Sequence, residues 1–173
     1  TSLGGDYLVN DGLLIGAALH ADWMYDRSAS QMISGTGYLV GPYVSAEILD
    51  GVILDAGLFL GRSTNESRLT IMGSEFVGEF DTDRVLFDSI LRGEWAQGAL
   101  TIRPNASFHL SHETAAGYTV TGPGGSDVDI AGFDTTMVRG SLGAVFEYDI
   151  DLGNGLTLTP DASFAFGLGN GGG

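Results

Sequence analysis

Two stretches, LTIRPNASFHL at residues 100–110 and LTLTPDASFAF at residues 156–166, decide how this chain folds. Each sets an apolar side chain at every second position, fills the alternate slots mostly with polar or small ones, and carries a proline inside the run. Strict alternation marks a β-strand with one apolar face and one wet face. In the first stretch Leu100, Ile102, Pro104, Ala106, Phe108 and Leu110 fall on one side, and Thr101, Arg103, Asn105, Ser107 and His109 on the other. Proline removes a ladder donor, so Pro104 and Pro160 require a bulge, an edge or a strand end.

The same pattern recurs along the chain. Leu13, Ile15, Ala17, Leu19, Ala21, Trp23 and Tyr25 alternate with small and polar residues, as do Val52, Leu54, Ala56, Leu58 and Leu60. Short turn signals stand at NDG (10–12), DG (50–51), QG (97–98) and GNG (153–155), each between two alternating runs, which is the hairpin signature. Longer polar connections start at Asp26, Arg62 and Ser111. The spacing predicts about eight strands of about ten residues, in one domain over 1–173, with no helix. Strands in globular sheets average about five or six residues, whereas a tilted strand needs about nine to eleven to cross a bilayer. The fold class is therefore all-β: an antiparallel up-and-down transmembrane barrel, with tight turns at one end and long loops at the other.

The aromatic residues suit that reading. Trp23, Tyr25 and Tyr38 lie beside the long loops, and Trp95 and Tyr148 beside the tight turns, all on the apolar face. A transmembrane barrel carries such residues as girdles at its two interfaces. The opposite face would line a wet lumen, and its charged members Arg84, Asp88, Arg92, Glu94, Arg103, Arg139, Glu147 and Asp149 form a candidate lumen charge network. Such a network either sets what passes through the lumen or braces the wall as an ion-pair array.

Composition excludes several classes. Acidic residues number 22 against 7 basic ones, all arginine, and the net charge of -15 argues against a nucleic-acid partner. No run approaches the roughly 18 apolar residues of a spanning helix. Cysteine is absent, so there is neither a disulfide framework nor a thiolate metal site. The stretch TSLGGDYLVN has no signal-peptide features, so an exported chain would take its targeting from sequence upstream.

No catalytic, metal or cofactor site is expected, and the chain is read as no enzyme. Ser111, His112 and Glu113 are adjacent, and adjacent residues of an extended segment point to opposite sides. His20 and His109 fall on the polar face as solvated side chains. Asp127, Asp129 and Asp134 sit in a glycine-rich segment without the ligand spacing of a calcium loop.

The segments GGDYLVNDGLLIGAALHAD, GTGYLVGPYVSAEILDGVILDAGLFLGRS and GEFDTDRVLFDSILRGEWAQGALTIRPNASFHLSHE resemble the translocator barrel of bacterial autotransporters, the type V secretion family. The resemblance covers most of the chain. It implies a barrel of roughly twelve strands in the bacterial outer membrane, of which this chain reads as the central part. It also implies contact with outer-membrane lipid and lipopolysaccharide, insertion by the barrel-assembly machinery, and export or surface anchoring of the protein's own N-terminal passenger. Two rival readings are a soluble β-barrel or sandwich that binds at a surface, and an outer-membrane hydrolase, which would need a compact Asp/His or Ser/His cluster.

Overall fold

The computed structural model describes residues 1–28 and 30–172. In chain order the strands are β1 (Ser2–Asn10), β2 (Leu13–Arg27), β3 (Gln31–Leu49), β4 (Val52–Ile71), β5 (Ser74–Gly93), β6 (Trp95–Gln97) and β7 (Leu100–Ala115). They continue with β8 (Tyr118–Thr121), β9 (Asp127–Ile130), β10 (Phe133–Tyr148), β11 (Ile150–Gly153), β12 (Leu156–Leu158) and β13 (Asp161–Gly172). The wall is one curved sheet in the order β1-β2-β3-β4-β5-β7-β10-β13, and each of its neighbours pairs antiparallel. Among the described residues no ladder joins β1 to β13.

Register sorts the two faces, because residues opposite each other across an antiparallel pair share a side. Ile15 stands opposite Val44, Leu58 opposite Phe87, and Ala106 opposite Leu142, which builds an apolar convex face. Gly37 stands opposite Ser63, Ser63 opposite Thr82, and Asp88 opposite His109, which builds the polar concave face. No second sheet packs on the apolar face among the described residues. Leu19, Val40, Leu60, Leu142 and Phe164 are all exposed there. A soluble sandwich would cover those side chains with a second layer, which the described residues do not supply.

The convex face has a height. On β7 its apolar run from Leu100 to Leu110 gives way to His112, whose ring hydrogen-bonds Thr136 and Thr114. That run covers roughly 33 Å of strand, or about 25 Å of depth at a tilt of ~40°, the height of an outer-membrane apolar belt. On β4 and β5 the same boundary falls between Leu60 with Val85 and the next convex pair, Arg62 with Asp83. Tyr38 stands opposite Arg62 at that boundary. Trp23 (70% exposed), Tyr25 and Tyr38 ring one rim of the belt, and Trp95 and Tyr148 lie toward the other.

Three connections differ from the sequence expectation. Seven of the eight wall strands are longer than ten residues, chiefly because the polar stretches at Asp26, Arg62 and Ser111 are strand extensions more than loops. β4 and β5 pair without interruption from Val52 with Gly93 to Ile71 with Ser74, and they turn through Met72 and Gly73, both at positive φ. Their outer part stays paired above the belt because alternation simply changes chemistry: Arg62 bridges Asp81 and Asp83, and Arg68 bridges Glu66 and Glu75. Polar alternation reads as loop by composition, yet it suits the convex side of a sheet that continues into water.

The stretch after Ser111 holds the hairpin β8–β9, which folds back onto the concave side of the β4–β5 extension. Val120, fully buried, is its anchor, and Phe76 and Phe80 of β5 are buried beneath it. Tyr118 stacks on Phe80 at 4.6 Å between ring centres, and one ladder pair, Val77 with Thr121, ties the hairpin to β5. A cavity of about 190 Å³ opens at this level between the walls, lined by Met24, Ile33, Asn65, Phe80, Arg84 and Phe133 among others.

Both prolines stand where a ladder breaks. β5 and β7 pair down to Arg92 with Asn105, one residue short of Pro104, while β7 stays paired with β10 through Ala144. Beyond the break β6 resumes the pairing with Trp95 opposite Ile102. Pro160 lies between β12 and β13, and its carbonyl accepts the Tyr148 N–H at 3.1 Å where β10 gives way to β11. The missing N–H therefore falls where the regular ladder already stops.

Candidate functional site: the concave face

Alternation places small residues on the concave side of β2, β3 and β4, and they admit a few large rings. Tyr43 lies over Gly16, where an added Cβ would come within 2.4 Å of its ring, and its hydroxyl donates to Asp6 at 2.8 Å. Phe59 lies over Gly57, and the His20 ring meets it edge-on at 5.0 Å. Leu39 is buried between these strands. His20 also pairs Nδ1 with the Ser2 hydroxyl at 2.8 Å. One side of the concavity is thus a glycine-floored stripe with aromatic and aliphatic relief.

The other side, on β5, β7 and β10, is charged. Arg84 reaches across β3 and β4 over Gly37: its Nη1 donates to both Asp22 oxygens at 2.8 and 3.1 Å, and its Nε donates to Glu113 at 3.0 Å. One guanidinium thereby ties β2, β5 and β7. Arg92 pairs with Asp55, and Arg103 lies between Glu94 and Glu147. The His109 ring bonds Asp88 at 2.6 Å, and the Ser107 and Ser141 hydroxyls meet at 2.7 Å.

Two members of the candidate network stand apart from it. Asp149 sits at the break between β10 and β11, where it accepts the Thr159 hydroxyl at 2.6 Å and meets no arginine among the described residues. That position corrects its assignment to the network: the ladder ends at Tyr148, so alternation no longer aims Asp149 at the charged stripe. Arg139 is on the concave face, opposite His109 and Gly169, and no carboxylate approaches it within 4.0 Å among the described residues. The partners Asp22, Asp55 and Glu113 were not singled out by sequence for the network. Their signal was present, since each occupies a polar slot of an alternating run, but pairing needs the register.

The Ser111, His112, Glu113 run splits as alternation requires, with Glu113 on Arg84 inside and His112 on Thr136 outside. Asp127, Asp129 and Asp134 each accept a cross-strand threonine hydroxyl at 2.8 Å, from Thr121, Thr119 and Thr114. No group of three or more metal-ligating side chains occurs among the described residues.

The autotransporter beta-domain family matches residues 1–168. The beta domain of the Bordetella autotransporter BrkA is similar in structure, with a TM-score of 0.67 at 19% identity, over 98% of this chain and 68% of that one. The translocator domain of the autotransporter NalP from Neisseria meningitidis gives 0.57 at 13% identity, over 97% of this chain and 77% of that one. The ferric citrate transporter FecA gives 0.53 at 13% identity, but only 29% of its chain is covered. With a lipid-height apolar wall, an up-and-down sheet and a family match over nearly its whole length, the chain belongs to the autotransporter beta-domain family, the outer-membrane translocator barrel of type V secretion.

Proposed function

We propose that the concave face of this wall is the surface along which the protein's own N-terminal passenger moves outward, and that the barrel then anchors it. The observation that carries this is the split of that face into a glycine-floored apolar stripe on β2 to β4 and a charged stripe on β5 to β10. A polypeptide segment presents both kinds of side chain, and a path that offers each a neighbour lowers the cost of holding it out of bulk water. The paired arginines keep the charged stripe rigid, so it does not collapse onto the passing segment.

The barrel acts by providing a route, with no catalytic group of its own, and the convex face meets lipid and lipopolysaccharide. Insertion falls to the barrel-assembly machinery. The test is cross-linking during export in the full-length protein, from Ser141→Cys on the concave face and Leu142→Cys on the convex face. Cross-links from residue 141 to the passenger segment, with none from residue 142, are expected. Surface display of the passenger with no cross-link from the concave position would overturn the reading.

A further inference from the structure

We infer that the convex face just above the belt holds a groove that binds a neutral sugar ring of lipopolysaccharide, an inference that rests on the convex face meeting lipid and lipopolysaccharide, as proposed above, and not on the passenger route. Tight turns mark the periplasmic end of such a barrel, so the β4–β5 extension rises from the outer surface. The hairpin β8–β9 covers its concave side, where Val120 is fully buried. Its convex side carries two rungs set by register: Trp23, Thr36, Thr64 and Asp81, then Tyr25, Ser34, Glu66 and Glu79. A groove of about 360 Å³ runs between them from Trp23 on β2 to Glu79 on β5. That volume falls within the roughly 300–1,000 Å³ of small-ligand sites. The rungs lie two and four residues beyond Tyr38 on β3, or roughly 5–10 Å above the belt at a tilt of ~40°. That is the depth of lipid headgroups and of the sugars attached to them.

The side chains of the groove suit a pyranose. Trp23 is 70% exposed, and its indole offers an apolar surface for the C–H face of a sugar ring. The exposed Thr36 and Thr64 and the half-buried Ser34 add hydroxyls that can donate or accept. Glu66 and Glu79 stand directly opposite each other across the β4–β5 ladder, a like-charge pair that costs stability unless something neutralises or bridges it. Arg68 holds Glu66 at 2.7 Å, and no arginine comes within 4.0 Å of Glu79 among the described residues. A carboxylate with free oxygens accepts two neighbouring hydroxyls, which is how a sugar presents them. Calcium would require about six to eight oxygen ligands, and no group of three or more metal-ligating side chains occurs among the described residues. The same carboxylates repel phosphate, so the ring that fits is a neutral one.

The test uses the full-length protein refolded into phosphatidylcholine vesicles, with the phosphate-free oligosaccharide cut from lipopolysaccharide as the probe and a chelator present. Saturation-transfer NMR reads the binding. Wild type should bind saturably, Trp23→Ala should weaken binding about tenfold, and Glu79→Ala should weaken it severalfold. Trp95→Ala, a change of the same kind at the opposite rim, should leave it unchanged. Absence of saturable binding in wild type, or binding that survives Trp23→Ala, overturns the assignment. Binding that appears only when calcium replaces the chelator, and is lost in Glu79→Gln, overturns it in favour of a cation bridge. Quenching of Trp23 by lipids brominated near the headgroup reports the placement of the convex face separately. Quenching without sugar binding overturns the groove alone, and no quenching overturns the placement as well. If Trp23→Ala fails to insert, wild type and Glu79→Ala still decide.

Discussion

At the scale of the residue, Arg84 is the side chain on which the concave face most depends. Its side chain is 21% exposed, and it joins Asp22 on β2 to Glu113 on β7. Removing it leaves two carboxylates close together without their shared donor, so Arg84→Ala should destabilise the refolded barrel by about 2 kcal/mol. Arg84→Lys should recover only part of this, because an ammonium cannot hold two carboxylates in the same plane. Urea unfolding in lipid vesicles would measure both. Equal stability of Arg84→Ala and wild type would show the clamp to be idle. Gly16 makes a second case: a Cβ there would meet the Tyr43 ring at 2.4 Å, so Gly16→Val should release Tyr43 from Asp6 and loosen β1. Faster proteolysis near residues 1–10 would report it. Alternation puts Arg84, Arg92 and Arg103 in polar slots of their strands. It could not name their partners, because Asp22 and Arg84 are 62 residues apart in the chain and meet only once the register is set.

At the scale of the element, the hairpin β8–β9 shows where sequence reading ends. Its turn carries the run GPGGS, which reads as loop, and its flanks are two strands of four residues each. What holds it is Val120, buried over Gly78, with Tyr118 stacked on Phe80 and Gly122 beside the Phe76 ring, and no local pattern announces those contacts. The β4–β5 extension was hidden for a related reason, since its outward slots turn from apolar to charged at Arg62 while the pairing continues. Val120→Ala should cost about 1–3 kcal/mol locally, the range for removing buried methyl groups. Because the hairpin makes one ladder pair with β5, that loss should appear as local opening, with cleavage between Gly122 and Gly125 rising before the wall unfolds. If limited proteolysis and global unfolding shift together instead, the hairpin is part of the wall's cooperative unit.

At the scale of the whole molecule, one wall separates two solvents, and the period of two does the separating. A slip of one residue in any ladder would exchange lipid-facing and lumen-facing side chains along a whole strand, so the convex belt also tests the register. Trp23 and Trp95 stand at its opposite rims, 70% and 54% exposed on the convex face. With each kept as the sole tryptophan, lipids brominated near the headgroup should quench both strongly, and lipids brominated near the chain terminus should quench both weakly. A third variant, Leu58→Trp in a background lacking the other two, should reverse that order, because Leu58 lies within the apolar run below the Arg62 boundary. Placing a tryptophan instead at Ser141 on the concave face should give little quenching at any depth, and an acrylamide-accessible signal. If Ser141→Trp were quenched as deeply as Leu58→Trp, the two faces would share one solvent, and the wall could not serve as the boundary of a route through the membrane.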